Sequence, residues 1–270
     1  MAPLLLVRTR LNYGFAIIGE LRDKAPAPGG RRPRGNIVGR LLSWVRTVEW
    51  MRCKGTMSTK HATQGGTANE QYFSAEPSSK DVRRELTVSL RGVETPVEVS
   101  NGVFSGSRLD LGTAVLLREA PEPPESGSFL DLGCGWGPVA LSMAMASPAA
   151  TVWAVDVNER ALELTEANAK RNGCGNIRAA LADQVPGDAV FDVIWSNPPI
   201  RIGKEALHEL LMAWLPRLNP DGGVAYLVVQ KNLGADSLIP WLASALGDGY
   251  AVSKYHSAKG YRVIEVARSR

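Results

Sequence analysis

The sequence is poor in cysteine and in long apolar runs, and each shortage removes a class of protein. Its three cysteines, Cys53, Cys134 and Cys174, are too few and too scattered for a disulfide framework or a zinc cluster. No metal is expected, and the pattern favours a reducing cytoplasm. No stretch approaches the roughly 18 consecutive apolar residues that a membrane span needs, so no membrane partner is expected. Met1–Arg10 has a short apolar run but lacks a basic start, a long apolar core and a small-residue cleavage site, so secretion is not expected. No internal repeat is visible.

The net charge of +4 hides an uneven distribution. Residues 1–72 carry 12 Lys/Arg against 4 Asp/Glu, whereas residues 73–270 carry 19 against 23. A protein that binds polyanions over its whole surface would not look like this. Any nucleic-acid contact by the larger part must rest on local patches.

Residues 1–70 differ from the rest. They hold Pro-Ala-Pro-Gly-Gly at 26–30, an Arg-rich run at Arg31, Arg32 and Arg34, and a polar stretch from Thr56 to Glu70. Only Ile37–Val48 has the spacing of a short amphipathic helix. The segment reads first as a disordered basic extension, or as upstream sequence before a true start at Met51 or Met57. A basic RNA-binding arm and a small folded domain are the alternatives. Residues 71–124 follow as a β-hairpin and a leading helix. Leu86–Leu90 and Pro96–Ser100 alternate across Arg91-Gly92-Val93-Glu94, and Asp110–Ala120 has helical spacing before the Pro-rich linker 121–124.

Residues 125–270 alternate strand and helix. Strand-like runs lie at Ser128–Leu132, Thr151–Val155, Ile177–Ala180, Val190–Trp195, Gly223–Val229 and Tyr261–Val266. Helical patterns lie between them at Pro138–Ala146, Glu159–Arg171, Lys204–Leu218 and Ser237–Leu246. The expected fold is α/β, a Rossmann-like, seven-stranded, mostly parallel sheet with helices on both faces. Tyr250–Tyr255 and Tyr261–Val266 around Ala258-Lys259-Gly260 suggest an antiparallel C-terminal pair. Trp214 and Trp241 read as core anchors, and His208 and His256 as structural or solvent-facing.

The first strand of that domain runs into Asp131-Leu132-Gly133-Cys134-Gly135-Trp136-Gly137-Pro138. A glycine-rich turn between a strand and a helix lets a ligand lie against bare backbone near the helix N-terminus. Dinucleotide binders need glycine where this chain has Pro138, a residue suited to a first helical turn. Asp131-x-Gly133-x-Gly135-x-Gly137 resembles motif I of class I methyltransferases, which implies S-adenosylmethionine as cofactor. In that family a second acid ends the next strand and binds ribose hydroxyls; Asp156 stands there, 25 residues on. Asp183 stands where the family contacts the adenine amine.

The fourth strand ends in Ser196-Asn197-Pro198-Pro199-Ile200, which should face the glycine turn across one crevice. Asn-Pro-Pro resembles motif IV of methyltransferases acting on planar nitrogen. An exocyclic amine is a poor nucleophile because its lone pair is delocalised. The Asn197 side-chain carbonyl and the Pro198 backbone carbonyl can each accept one N–H and favour a pyramidal nitrogen. Pro198 and Pro199 stiffen the backbone that presents them. Alignment with an already activated sulfonium supplies most of the rest, without metal or strong base.

Asn197-Pro198-Pro199-Ile200-Arg201-x-Gly203-Lys204 resembles a bacterial branch of small-domain methyltransferases related to 16S rRNA guanine-N2 enzymes. Phe104-Ser105 and Leu109-Asp110-Leu111-Gly112-Thr113 are similar to that family's leading segment, and Lys259–Val263 to its C-terminal segment. The resemblance covers about residues 72–270. It implies that Asp110 and Thr113 lie over the methionine end of the cofactor, that Ile200 packs against a base, and that Arg201 and Lys204 hold phosphates. The implied partner is ribosomal RNA or the small ribosomal subunit, and the implied product N2-methylguanosine. A protein glutamine, a small-molecule amine, or a non-catalytic role in RNA binding or assembly are the alternatives.

Overall fold

The computed structural model describes residues 80–269. The basic extension, the arm and the alternative starts expected over residues 1–70 lie outside the described residues.

Arg83–Leu90 (β1) and Val93–Ser100 (β2) pair as an antiparallel hairpin with Leu90 opposite Val93. The turn is therefore two residues, Arg91-Gly92, and not the four expected. Both have left-handed φ, 50° and 87°, the geometry that matches strand twist. The Arg91 guanidinium donates to the carbonyls of Leu117 (2.6 Å) and Ala120 (3.0 Å) and so ties the turn to the end of the following helix.

The elements that follow are Leu111–Glu119 (α1), Ser126–Leu132 (β3), Pro138–Ala146 (α2), Ala149–Val155 (β4), Glu159–Arg171 (α3) and Ile177–Ala180 (β5). Val193–Ser196 (β6), Lys204–Trp214 (α4), Val224–Gln230 (β7), Ala235–Leu246 (α5), Tyr250–Ala258 (β8) and Tyr261–Arg268 (β9) complete them. The seven-stranded sheet has the order β5-β4-β3-β6-β7-β9-β8. Strands β5 to β7 run parallel, and β9 runs antiparallel to both of its neighbours. This is the expected Rossmann-like arrangement. Strand order reverses at β3, so the crevice for a ligand lies at the C-terminal ends of β3 and its neighbours.

Side-chain alternation builds a core on each face. Phe129, Val193, Trp195 and Val228 point to the side of α1, α2 and α3. Their chain neighbours Leu130, Ile194, Leu227 and Val229 point to α4 and α5, where Leu211 and Trp214 meet them. Trp214 is the expected core anchor, at 1% exposure. Trp241 also packs against that core but at its margin: it is half-buried and stacks on His208, with ring centroids 3.3 Å apart.

Several boundaries shift by a few residues from expectation, and two of the shifts have a clear physical cause. The fourth strand of the domain begins at Val193 rather than Val190. Asp192 spends its carboxylate on Ser128 N (2.8 Å) and Asn219 Nδ2 (2.7 Å), while Phe191 makes only an isolated bridge to Leu218. The helix expected to reach Leu218 stops at Trp214 and continues as a tighter turn over Leu215–Arg217, where Pro216 has no N–H to give.

The hairpin is seated on α3 by one buried side chain. Asn168 accepts from Glu98 N (2.6 Å) and donates to Glu98 O (2.9 Å) and Trp136 O (2.9 Å), so its amide stands in for a strand partner on β2. Replacing it with leucine strands three backbone groups. Asn168→Leu is expected to cost about 3 kcal/mol, lowering Tm by roughly 10 °C in thermal denaturation. An unchanged Tm would show that the hairpin does not depend on this contact.

Candidate active site

The glycine turn joins β3 to α2 in a run of left-handed residues: Gly133, Gly135 and Gly137 have φ of 80°, 58° and 91°. The amides of Gly133 and Cys134 both donate to Val155 O, at 2.8 and 3.1 Å, and pin the turn to the end of β4. At Gly137 a side chain is excluded twice over. Its φ is left-handed, and a Cβ would lie 2.9 Å from Thr165 Oγ1 and 3.0 Å from Thr165 Cγ2 on α3. Gly133 and Gly135 are different. A Cβ on either would meet no heavy atom closer than 3.9 Å, so bare backbone faces the crevice.

Two acids flank this turn. Asp156, half-buried after β4, accepts from Gly135 N and Asn158 N, each at 2.9 Å. Burial raises its pKa, against the pull of the backbone amides that it accepts from. Asp131 lies beneath the turn rather than in the crevice, at 1% exposure. Its Oδ2 accepts from Ala140 N at 2.9 Å and closes the first turn of α2. Burial pushes this carboxyl up to about 8; the Ala140 N–H opposes that and the Asp156 charge adds to it. Cys134 is buried within the turn, and burial raises its thiol pKa, which fits a small packing residue rather than a nucleophile.

The Asn-Pro-Pro segment leaves β6 beside the glycine turn. Ser196 Oγ donates to Leu132 O at 2.6 Å, joining the ends of β6 and β3. A Cβ on Gly133 would lie 4.0 Å from Pro199 Cδ, so the two loops face each other as expected. The Pro198 carbonyl, expected to accept one N–H of a substrate amine, already accepts from Ile200 N at 2.8 Å. Pro199, at φ −74° and ψ 77°, is the centre of that inverse γ-turn. One lone pair of Pro198 O remains for another donor.

Asn197 Nδ2 donates to Asp110 Oδ2 and to Thr113 Oγ1, both at 3.0 Å. Asp110 Oδ2 also caps α1 by accepting from Thr113 N at 3.0 Å. Both amide protons of Asn197 are therefore used, and its Oδ1 has no hydrogen-bond partner among the described residues. Gly112 makes room for this cluster: a Cβ there would lie 2.9 Å from Asp110 Oδ2, 2.9 Å from Tyr261 Cε1 and 3.4 Å from Asn197 Nδ2. The Tyr261 phenol is held above its ordinary pKa by burial and then by the Asp110 charge.

The sheet edge thus carries Asp183 after β5, Asp156 after β4, the glycine turn after β3 and Asn197 after β6. Asp183 is exposed on a short turn, two strands from the glycine turn, and touches none of the other site residues among the described contacts. Ile200 and Ile202 form a tight turn whose side chains pack toward the α4 core, while Arg201 and Lys204 are exposed beside it. Sequence reasoning missed Gly112, Tyr261 and the bond from Asp110 to Asn197. Among the described residues no cluster of three or more His, Cys, Asp or Glu is arranged to hold a metal. No helix among them is long and apolar enough to cross a membrane.

Residues 94–265 match the family model described as the methyltransferase small domain. The uncharacterized protein YbxB of Bacillus subtilis (strain 168) is 34% identical over 203 residues, covering 74% of this chain and 99% of that protein. Ribosomal RNA small subunit methyltransferase C of Shewanella amazonensis is 33% identical over 68% of this chain, a match that spans 54% of its own length. The Acinetobacter baumannii (strain AYE) protein of that name is 38% identical over 44% of this chain and 36% of its own. The fold is shared with a T. thermophilus 16S rRNA N2 G1207 methyltransferase in complex with AdoMet and guanosine. That superposition has a TM-score of 0.57 at 24% identity, over 70% of this chain and 51% of the other.

Proposed function

The chain belongs to the methyltransferase small domain family, and from that premise we propose that it transfers a methyl group from S-adenosylmethionine to the exocyclic N2 of a guanine in ribosomal RNA. The observation that supports this best is the state of Asn197: both its amide protons are engaged, and its oxygen is left as an acceptor opposite the glycine turn.

The residues present fit the cofactor. The open backbone at Gly133 and Gly135 is a cradle that any side chain would fill. In this reading Asp156 accepts ribose hydroxyls with lone pairs its two backbone donors leave free, and Asp183 accepts from the adenine amine. Gly137 and Asp131 act from below, shaping the turn and the start of α2. When bound, S-adenosylmethionine supplies a methyl group on a positively charged sulfur.

The substrate amine donates one N–H to Asn197 Oδ1 and the other to the second lone pair of Pro198 O. Two acceptors out of the ring plane draw the nitrogen towards a pyramidal shape and aim its lone pair at the methyl carbon. The N–C bond forms as the C–S bond breaks, its electron pair stays on sulfur, and the amine proton leaves to water. Ile200, committed mainly to the α4 core, offers the base only its exposed margin, and Arg201 and Lys204 meet phosphates at the mouth of the crevice.

Modified nucleosides from the ribosomal RNA of a deletion strain should lack one N2-methylguanosine, restored by the intact gene and not by an Asn197→Ala allele. A full complement of methylguanosines in the deletion strain would discard the rRNA assignment. A lost methylglutamine in a protein, or no lost methylation at all, would point to the other two classes of function.

A further inference from the structure

We infer that Asp110 and Thr113 are positioning residues: they fix the direction of the Asn197 side-chain amide, so that its oxygen and not its nitrogen meets the substrate amine. This deepens the function proposed above and rests on Asn197 accepting from that amine.

An asparagine amide has two nearly isosteric orientations, and only its hydrogen-bond partners choose between them. At Asn197 the choice is forced by charge. Asp110 Oδ2 accepts from Asn197 Nδ2 and from Thr113 N, both at 3.0 Å. Turning the amide over would set Asn197 Oδ1 against that carboxylate, two acceptors in contact. It would also direct an N–H at the substrate amine, which is a donor itself. Thr113 Oγ1 takes the second amide proton at 3.0 Å, and Thr113 is only 4% exposed, so solvent does not compete for the contact. Gly112 and the Tyr261 ring close the cluster, with no room for a side chain at 112. The first turn of α1, which lies before the sheet in sequence, thereby sets the geometry of a group at the end of β6.

A structural role, a cofactor role and a positioning role leave different traces. Thr113→Val is close to isosteric and removes one acceptor, Thr113→Ser restores it, and Asp110→Ser keeps an N-cap for α1 while withdrawing the carboxylate. On small ribosomal subunits carrying unmodified 16S rRNA, Thr113→Val is expected to lower kcat about 10-fold and Asp110→Ser by about 30- to 100-fold. Thr113→Ser should return to within about 3-fold of the unaltered protein. KM for the subunits and Tm should stay essentially unchanged, and any loss of S-adenosylmethionine affinity by calorimetry should be several-fold smaller than the loss in kcat.

A second readout needs neither substrate nor cofactor. The two side-chain amide protons of Asn197, assigned in a 15N spectrum by their loss in Asn197→Ala, should exchange slowly in the unaltered protein. One of them should exchange faster in Thr113→Val. Losses that follow cofactor affinity would make Asp110 and Thr113 cofactor ligands instead, and losses that follow Tm would make them merely structural. An inactive Asn197→Ala alongside a fully active Thr113→Val overturns this inference alone. A fully active Asn197→Ala removes the reading it rests on, and both then fall.

Discussion

Asn197→Ala is expected to lower the rate of methyl transfer by about 100- to 1000-fold while leaving S-adenosylmethionine affinity nearly unchanged. The truncation removes the acceptor with no other commitment: Pro198 O is already shared with Ile200 N, whereas Asn197 Oδ1 has no partner among the described residues. What remains in the variant is proximity, since the glycine turn, Pro199 and the mouth of the crevice are untouched. The amine would still be brought near the methyl group, but flat, with its lone pair spread over the ring. Single-turnover methylation of small subunits checks the rate, and calorimetry with S-adenosylmethionine checks the affinity. A rate within a few-fold of the unaltered protein would mean that pyramidalisation at Asn197 is not the source of acceleration. Coupled losses of rate, affinity and Tm would instead mean that Asp110 and Thr113, left without their partner, had let α1 shift.

Local signals were legible in the sequence where the chain announces its own punctuation. α2 begins at Pro138 behind a left-handed glycine and α3 behind Asn158, whose side chain accepts from Arg160 N at 3.0 Å; both helices span the residues that their spacing predicts. The parallel sheet followed from alternation of strand and helix, and the order of its edge placed Asp156, the glycine turn and Asn197 in one crevice. Boundaries failed where a long-range contact overrode local pattern. Val190–Asp192 looks like strand, but Asp192 is drawn to Ser128 and Asn219. The site was legible as a list of positions and not as a network. Asp110 and Asn197 are 87 residues apart, and their bond exists because α1 packs across β7 and β9, a placement that no spacing encodes. Asp131 shows the converse. Its motif position suggested a ligand in the crevice, yet it shares a sheet face with Phe129 and so turns inward to α2.

That inward placement makes the second large effect a dependence on pH. In the folded protein the Asp131 carboxyl is pushed up to about 8, and in the unfolded chain it returns to about 4. Between those values the folded state keeps a proton that the unfolded state has released, so stability falls as pH rises. The slope from this group alone is roughly 1.4 kcal/mol per pH unit inside that window. Its contribution is complete below about pH 4 and lost above about pH 8. Asp131→Asn keeps an oxygen for Ala140 N–H and cannot ionise. Its Tm, measured against the unaltered protein, should therefore gain steadily from pH 5 to about pH 8 and level off above it. A constant difference across that range would show that Asp131 does not hold its proton in the fold.

The same ionisation bears on ligand choice. Above about pH 8 a carboxylate beneath the glycine turn favours a cation over a neutral ligand. S-adenosylmethionine and its product, S-adenosylhomocysteine, differ by the sulfonium charge and share their amino and carboxyl groups. The ratio of their affinities should then shift towards the cation between pH 6.5 and pH 9 in the unaltered protein and stay flat in Asp131→Asn. An equally steep ratio in both proteins would assign the charge preference to a group other than Asp131.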